Sequence, residues 1–361
     1  PKKGEDIHKA VHRECKSVRK SLGILDASTL GKIDLQGPDI SKFLNMLYTN
    51  AWSKLEVGSC RYGLMCNEHG MIFDDGVTSR LGENHYHMTT TTGGAARVMS
   101  WLEEFLQTEW LDMKVFCTSV TEQWAVLSIS GPNARNFLAD LTDIDLSKES
   151  FPFMKFREGK VCGVDARVFR ISFTGELAFE INVPARYGDY VWNEFMNHGK
   201  KYNITPYGTE AMHVLRAEKG FIIVGQDTDG SVTPYDLDMD WIVSKKKEDF
   251  LGKRSFSRAD TSRNDRKKLV GLLVNDKTTV LPEGSHVVEK AKSQPPMKML
   301  GHVSSSYYSP TNDHPIALAM LKDGKSRMGD EVEIPLMNGK IVKATVTDPI
   351  FYDKEGLRNN E

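Results

Sequence analysis

The chain has 361 residues, 40% of them hydrophobic and 27% charged, and its 47 Lys and Arg nearly balance its 49 Asp and Glu. This length exceeds one ordinary domain, and the composition is that of a globular protein with enough apolar residues for a core. The balanced charge argues against a nucleic-acid partner, and no apolar run approaches the roughly 20 residues that span a bilayer. We therefore expect a cytoplasmic protein that binds neither nucleic acid nor membrane. Because the chain begins at Pro1 without a Met, we also expect a fragment or a processed chain.

Two related units are visible in the first part of the chain. Apolar residues within 5–25 recur at helical spacing and predict a first helix. Residues 31–36 alternate like a strand and lead into Gly37-Pro38-Asp39, whose Asp is suited to cap the next helix. A similar strand leads into Gly131-Pro132-Asn133 and then Phe137-Leu138. We interpret the two copies as related αβ units of one pseudo-symmetric core.

The remaining elements divide the chain into a core and a β-rich end. Strands are predicted at 60–66, 71–80, 84–91, 161–172 and 178–183, and helices at 187–202 and 207–218. Residues 257–268 are polar and charged and are typical of a linker or exposed loop. Short strands without long helices follow and predict a small β-barrel or sandwich. The predicted domains are an α+β core over 1–265 and a C-terminal β-barrel over 266–361.

Several kinds of site have no support in the sequence. The chain contains neither a GxGxxG nor a GxxxxGK[ST] motif, so no flavin, NAD or triphosphate loop is visible. Among the five cysteines only Cys60 and Cys66 are near each other, and their interval is not a zinc-ligand spacing. We expect reduced, buried thiols and no metal site.

Two adjacent aspartates, Asp74 and Asp75, interrupt the strand-like run 67–81. Strands disfavour Asp, and a half-buried carboxylate costs free energy unless it is paired. Adjacent residues of a strand face opposite sides, so only one of the two can face a pocket. The pattern is compatible with a surface strand end or bulge and with a carboxylate that binds a polar ligand.

Three other features are ambiguous by themselves. Glu180 lies between apolar neighbours in a predicted strand, where a Glu either faces solvent or is a buried recognition group. The threonines 89–92 precede Gly93-Gly94 and form either a polar ligand site at a helix start or an ordinary strand end. Arg216 lies on a predicted helix that an apolar strand follows, and it is compatible with a solvent-exposed charge.

Taken together, these segments resemble the aminomethyltransferase family, the T-protein of the glycine cleavage system. The matching segments are LDASTLGKIDLQGPD, NEHGMIFDDGVTSRL, LSISGPNAR, FTGELAFEI, YGTEAMHVLRAEKG and DFLGKRSF, in this order. The resemblance implies an α+β fold, a three-part cloverleaf with a C-terminal β-barrel. A closer similarity, carried by HMTTTTGGAARV, SVTEQWA and VSKKK, is to the C-terminal half of the α subunits of heterotetrameric sarcosine oxidases.

The resemblance implies tetrahydrofolate as the cofactor and folate-dependent capture of a sarcosine-derived imine. The products would be 5,10-methylenetetrahydrofolate and glycine, and the partners would be flavin-bearing sarcosine oxidase subunits. One alternative is a stand-alone glycine-cleavage-type aminomethyltransferase that works with a lipoyl carrier. Others are a folate-binding or assembly module without chemistry, and demethylation of another methylated amine or sulfur compound.

The resemblance also implies roles for individual residues. Asp75 matches the family's catalytic Asp, with Val77 two residues on, and Glu180 matches the Glu that holds the pterin ring. Phe173 stands where these proteins commonly have Tyr, and Thr91 stands near a position often held by Asn. All four of the non-catalytic positions are expected to bind the cofactor.

Two further positions bear on the site. Arg216 belongs to the family's Leu-Arg-x-Glu motif and is also expected to contribute to cofactor binding. Ser28-Thr29 stands where the family motif usually has Ser-His. This departure affects the amine-carrier side of the site and leaves the folate side intact.

Overall fold

The structure is a computed structural model that describes residues 1–360, which form two open sheets and a closed barrel. The helices are α1 (Ile7–Lys20), α2 (Ile40–Leu47), α3 (Ala95–Thr108), α4 (Ala134–Ala139), α5 (Gly188–His198) and α6 (Thr209–Glu218). The strands of the open sheets are β1 (Gly23–Asp26), β2 (Gly31–Gln36), β3 (Cys60–Cys66), β4 (Ile72–Gly82), β5 (His85–Thr90), β6 (Phe116–Ser119), β7 (Trp124–Ser130), β8 (Phe156–Val161), β9 (Val164–Phe169), β10 (Ala178–Pro184) and β11 (Thr205–Pro206). The barrel strands are β12 (Lys267–Val274), β13 (His286–Val288), β14 (Met299–Ser309), β15 (His314–Lys322), β16 (Glu331–Pro335) and β17 (Ile341–Thr347).

The five-stranded sheet has the order β3-β4-β5-β2-β6. Alternate residues of β2, Ile33 and Leu35, share one face with Tyr86 and Met88 of β5, and all four are buried with residues of α2 and α3. The other face of this sheet packs against the six-stranded sheet, as the stacking of His87 on Phe169 shows. The residues between the apolar ones are therefore directed toward the space between the two sheets.

The six-stranded sheet has the order β11-β1-β7-β10-β9-β8. Phe179 and Ile181 of β10 and Val168 of β9 belong to a core that includes Phe137 of α4 and Phe195 of α5. This core covers the face of the sheet that points away from the five-stranded sheet. The residues of β10 that alternate with these apolar ones, such as Glu180, consequently face inward, toward the five-stranded sheet.

The repeat seen in the sequence is a structural repeat. Gly37 and Gly131 both have φ +134, a region that L side chains rarely adopt, and each begins the turn into a short helix. Phe43 and Phe137 are fully buried, one in each sheet's core. The expected side-chain cap is wrong in detail: Asp39 makes no capping hydrogen bond, and its carboxylate accepts the Lys114 N–H at 2.9 Å.

Helix α1 lies within the predicted range 5–25 and packs beside α6. The Asp6 carboxylate accepts the Lys9 N–H at 2.8 Å and so caps the N-terminus. Cys15 and Val18 are fully buried against the Val214 side of α6. Of these two helices, α6 contributes Thr209, Met212 and His213 to the lining of the space between the sheets.

The terminal barrel closes in the order β12-β15-β14-β13-β16-β17. Outward-facing residues of its wall, including Leu318 and Met320 of β15, pack with Leu64 and Ile72 of the five-stranded sheet. The three-part α+β architecture with a terminal barrel, expected from the sequence, is confirmed. The barrel is thus fixed to the core and helps to enclose the space between the sheets.

Two local expectations were wrong. The strand predicted at 161–172 is the shorter β9, and the prediction missed β8, which precedes it; Cys162 and Gly163 both adopt positive φ and reverse the chain between the two strands. The apolar run after Glu218 is irregular rather than a strand. The stretch 257–268, predicted as a linker or exposed loop, is mostly exposed and irregular until β12 begins, and Arg266 near its end is 8% exposed and contacts the Asp236 carboxylate at 2.7 Å.

Candidate functional site

A cavity of about 1740 Å³ lies between the two open sheets, beside the barrel. Its wall includes residues of β3, β4 and β5 from one sheet, and of β7 and β10 from the other. The irregular segments 220–225 and 348–350 complete the wall next to β12. The volume exceeds that of a typical small-ligand pocket, and the wall is mainly apolar with a few converging polar groups.

Asp75 is the polar group that the five-stranded sheet contributes near the middle of β4. Tyr62 of β3 donates its hydroxyl to Asp75 Oδ2 at 2.6 Å. Burial raises the pKa of Asp75 to about 7; the Tyr62 hydrogen bond lowers it and the Asp74 charge raises it. A carboxyl with this pKa can hold or release a proton near neutral pH.

Asp74 faces the opposite side of β4, as strand alternation requires, and is fully buried. Its carboxylate accepts the Asp75 N–H at 2.8 Å and the Thr91 hydroxyl at 3.2 Å. The Thr91 hydroxyl in turn accepts the Gly94 N–H at 3.0 Å. Thr91 lines the cavity, but its hydroxyl is engaged in holding the turn that begins α3.

Glu180 is the polar group that the six-stranded sheet contributes, on the cavity side of β10. Within residues 1–360 its carboxylate receives no hydrogen bond and no ion pair from the protein. Burial raises the pKa of Glu180 to about 7, and the charge of Lys32 partly opposes this rise. A carboxylate held in this way has its full accepting capacity left for a ligand.

Apolar and aromatic side chains also line the cavity. Val77 lies two residues after Asp75 on the same face of β4 and lines the cavity. Phe173 is 38% exposed and stacks on Phe221, with ring centroids 6.2 Å apart. Because Phe173 has no hydroxyl, this part of the wall offers a flat apolar surface without a hydrogen-bond donor.

Arg216 is not among the described residues that line the cavity. Its side chain is fully buried on the barrel side of α6, where it contacts Asp227 at 2.5 Å and donates to Ser305 Oγ at 2.7 Å. The Ser304 hydroxyl donates to the same Asp227 carboxylate at 2.6 Å. The structure therefore brings Asp75, Val77, Thr91, Phe173 and Glu180 to one cavity and places Arg216 in the junction between α6 and β14.

Tyr62 is a site residue that the sequence reasoning missed. It pairs with Val77 across the β3-β4 hairpin, and Leu64 pairs with Asp75. The turn signal at 67–70 predicts that β3 pairs with β4, but strand alternation alone does not show which of Asp74 and Asp75 shares a face with Tyr62. The missing information was the register, which a bulge next to Cys66 shifts by one residue.

Two family models match the chain: the GCVT N-terminal domain over residues 2–247, and the glycine cleavage T-protein C-terminal barrel domain over residues 267–353. The chain belongs to the glycine cleavage T-protein family. The barrel match begins at the residue where β12 begins. The resemblance inferred from the sequence motifs is thereby confirmed.

Within this T-protein family, the chain is similar to the α subunits of sarcosine oxidases. It is 52% identical to that of Corynebacterium sp. (strain P-1) over 364 residues, and 41% identical to that of Rhizobium meliloti (strain 1021) over 362 residues. These matches cover 100% and 99% of this chain. The chain spans 37% of the length of either α subunit.

Shorter family members match over most of their length. The chain is 30% identical to the aminomethyltransferase of Thermotoga petrophila, covering 95% of this chain and 90% of that protein. The crystal structure of aminomethyltransferase T from Bartonella henselae superposes with a TM-score of 0.83 at 24% identity, covering 95% of this chain and 90% of that one. The T-protein fold accordingly extends over nearly the whole chain.

Within residues 1–360, no helix is long and apolar enough to cross a membrane. The same residues contain no group of three or more His, Cys, Asp and Glu side chains arranged to hold a metal ion.

Proposed function

We propose that this chain is the folate-handling part of a sarcosine oxidase α subunit. In this role it binds tetrahydrofolate and captures the one-carbon unit of a sarcosine-derived imine, with 5,10-methylenetetrahydrofolate and glycine as products. The observation that carries the proposal is that two carboxyl groups, Asp75 and Glu180, face one large cavity with pKa values raised to about 7. The 52% identity to a sarcosine oxidase α subunit supports the choice of substrate.

The donor set of the cavity fits a reduced pterin. Glu180 has no protein partner, so both of its oxygens are free to accept a pair of parallel N–H groups such as a pterin amide and its 2-amino group present. The stacked rings of Phe173 and Phe221 and the side chain of Val77 supply apolar surface for a flat ring. These residues would hold the ring without contributing to the chemistry.

Asp75 would act on the reacting atoms. When bound, tetrahydrofolate would supply the two nitrogens that take up the carbon; together these nitrogens lose two protons, and the glycine nitrogen of the cationic imine gains two as its bond to that carbon breaks. The Asp75 carboxylate would stabilise the cationic imine by its charge, and it could carry a proton from a folate nitrogen to the departing glycine nitrogen because its pKa is raised to about 7. Tyr62, hydrogen-bonded to Asp75 at 2.6 Å, fixes the orientation of the carboxylate.

The proposal is tested by Asp75→Asn in the protein purified together with the subunits that accompany it. We expect methylenetetrahydrofolate formation from sarcosine and tetrahydrofolate to fall by about 100-fold or more, the range typical of a lost general base or charge stabiliser. Affinity for 5-formyltetrahydrofolate, measured by calorimetry, should change by less than about fivefold. Asp165→Asn serves as the control, because this side chain is 87% exposed on β9.

Two results would count against the proposal. Unchanged formation of methylenetetrahydrofolate in Asp75→Asn would remove Asp75 from the chemistry. Failure of the unmodified protein to bind 5-formyltetrahydrofolate would remove folate from the cavity.

A second candidate is a glycine-cleavage-type aminomethyltransferase. It is favoured by the match to the Thermotoga petrophila aminomethyltransferase, 90% of which this chain covers. This candidate predicts that a lipoyl carrier protein loaded with an aminomethyl group yields methylenetetrahydrofolate with this chain alone. Activity with that carrier and none with sarcosine would favour it over the first proposal.

A further inference from the structure

The cavity wall carries more acidic than basic side chains. Among residues 1–360, the acidic residues that line it are Asp26, Asp75, Glu180, Asp229, Asp238 and Asp348. The lining cations are Arg61, Arg97 and Lys219, and burial lowers the pKa of the lining His213, so that ring is neutral at physiological pH. The sarcosine-derived imine carries a carboxylate besides its cationic nitrogen. Such a wall repels a carboxylate unless one of these cations receives it.

Two of the three lining cations are directed elsewhere. Lys219 donates its ammonium to the carbonyl of Asp353 and pairs with the Asp353 carboxylate at 3.2 Å. Arg61 precedes Tyr62 on the edge strand β3, so strand alternation directs its side chain away from the face that Tyr62 shares with Asp75. Its guanidinium donates to a carbonyl of the loop that precedes β3. Neither cation is therefore positioned to receive a ligand beside Asp75.

Arg97 is the lining cation that lies next to the segment carrying Asp75. It belongs to the first turn of α3 and is exposed, and its Nη2 donates to the Phe73 carbonyl at 2.7 Å. The guanidinium carbon lies 4.5 Å from the centre of the Phe73 ring, which lines the cavity. Phe73 precedes Asp75 by two residues of β4, which corresponds to roughly 7 Å along the strand. The carbonyl and the ring thus hold the guanidinium beside this part of β4.

The guanidinium of Arg97 keeps most of its hydrogen-bonding capacity. A guanidinium has five N–H donors, and within residues 1–360 the Phe73 carbonyl is the one acceptor that Arg97 reaches. The remaining donors can hold a carboxylate by two parallel hydrogen bonds. Because Phe73 already orients the side chain, little further side-chain entropy is lost when a carboxylate binds.

The sarcosine-derived imine matches the spacing between Arg97 and Asp75. Three bonds separate its methylene carbon from its carboxyl carbon, a span of about 4 Å by analogy with the three bonds between consecutive Cα atoms. A charge-assisted hydrogen bond adds about 3 Å between the carboxylate oxygen and a guanidinium nitrogen. The sum is close to the distance along β4 from Phe73 to Asp75. A carboxylate held by Arg97 therefore leaves the methylene carbon within reach of Asp75.

We propose that Arg97 binds the carboxylate of the sarcosine-derived imine and thereby selects an amino-acid imine over one-carbon donors that lack a carboxylate. This inference rests on the proposed capture of that imine. Bound in this way, the imine presents its methylene carbon to the folate nitrogens beside Asp75. An aminomethyl group on a lipoyl carrier, the donor of the second candidate function, has no such carboxylate, and its transfer would not depend on Arg97.

The test compares Arg97→Met with the unmodified protein, each purified together with the subunits that accompany it. At saturating tetrahydrofolate, captured imine appears as methylenetetrahydrofolate, and imine that escapes reacts with water to give glycine and formaldehyde. Excess formaldehyde dehydrogenase with its nicotinamide cofactor removes and reports the formaldehyde before it condenses with tetrahydrofolate. The readout is the ratio of methylenetetrahydrofolate to formaldehyde, with sarcosine consumption and 5-formyltetrahydrofolate affinity measured alongside.

Three further variants complete the set. Arg97→Lys keeps the charge without the planar fork, and Arg97→Gln is a second neutral variant should Arg97→Met not fold. Arg186→Met is the matched control, because Arg186 is also exposed and its guanidinium carbon lies 4.8 Å from the Tyr187 ring, but it does not line the cavity.

We expect the ratio in Arg97→Met to fall by about tenfold or more, the factor that a lost charge-assisted hydrogen bond produces. Sarcosine consumption and 5-formyltetrahydrofolate affinity should match those of the unmodified protein, which also shows that the variant is folded. The ratio in Arg97→Lys should lie between the two, and Arg186→Met should not change it.

The outcomes separate this inference from the proposed function. An unchanged ratio in the neutral variants would overturn the role of Arg97 while leaving imine capture intact. Weaker 5-formyltetrahydrofolate affinity, with the ratio restored by more tetrahydrofolate, would also overturn it, because Arg97 would then bind the glutamyl carboxylate of folate. If the unmodified protein yields formaldehyde alone, the proposed function fails, and the inference about Arg97 fails with it.

Discussion

The substitution Glu180→Gln tests whether the cavity places a carboxylate where the fold disfavours it. The pKa of Glu180 is about 7 in the folded chain, against its usual 4.5. Because the folded-state pKa is the higher one, the folded chain binds the proton more tightly than the unfolded chain. The contribution that protonated Glu180 makes to the free energy of unfolding is therefore fully present below pH 4.5 and is lost as the pH rises through 7. A Gln at this position does not titrate and has no such pH dependence.

The expected size of the effect follows from the two pKa values. At pH 8 Glu180 is ionised in both the folded and the unfolded wild-type protein. The difference between its two pKa values then corresponds to about 3 kcal/mol of destabilisation of the folded state, which Glu180→Gln relieves. At pH 5 the unfolded state is only partly ionised, and the difference is about 1 kcal/mol. Glu180→Gln should thus be more stable than the wild type, and more so at pH 8 than at pH 5.

The measurement is urea unfolding of both proteins at pH 5 and pH 8, with Glu103→Gln as the control. Glu103 is an exposed residue of α3, and its substitution should not change the stability difference between the two pH values. Folate affinity of Glu180→Gln should fall while its stability rises, since the carboxylate serves the ligand at the expense of the fold. An equal stability difference at both pH values would refute the claim that Glu180 is desolvated.

Two further predictions concern the partners of buried carboxylates. Tyr62→Phe removes the hydrogen bond that lowers the pKa of Asp75, so the midpoint of the pH–rate profile of methylene capture should move upward from 7 by about one unit; an unmoved midpoint would detach Tyr62 from the chemistry. Arg216→Met leaves the buried Asp227 carboxylate without its cation and should lower the free energy of unfolding by roughly 3–5 kcal/mol, measured with urea, and Asp227→Asn in the same chain should recover part of the loss. If Arg216→Met instead weakened folate binding without changing the free energy of unfolding, Arg216 would contribute to cofactor binding after all.

Much of the fold follows from local patterns. The alternation of 31–36 predicted β2 with the same bounds, and the two Gly-Pro turns predicted a repeat that the structure shows. These signals are reliable because burial on one face of a strand imposes a period of two, and because only glycine adopts φ +134 without strain. The hairpin of β8 and β9 was missed because Cys162, a non-glycine residue, takes part of the turn at φ 51.

The site was only partly accessible from the sequence. Strand alternation required that Asp74 and Asp75 face opposite sides, but the motif resemblance was needed to choose Asp75. For Glu180 the local pattern fits a solvent face and a buried wall equally well. Only the packing of one sheet on the other decides between them, because it encloses that face of β10.

Arg216 shows the reverse case, a motif residue whose place the sequence could not define. Its position on α6 is compatible with several surroundings, and the barrel strand β14, about 90 residues further along the chain, supplies Ser305 as a neighbour. Contacts over such distances in sequence depend on how the domains close around the core, which no local period encodes.

The sequence by itself determined the family, the order of the elements, the terminal barrel and the two carboxyl positions, since each depends on local spacing or on a motif. The tertiary structure alone decided that Asp75 and Glu180 share one cavity and that Tyr62 donates a hydrogen bond to Asp75. The physical reason is that burial, and with it the raised pKa of each carboxyl, arises from the surfaces that two separate sheets present to each other.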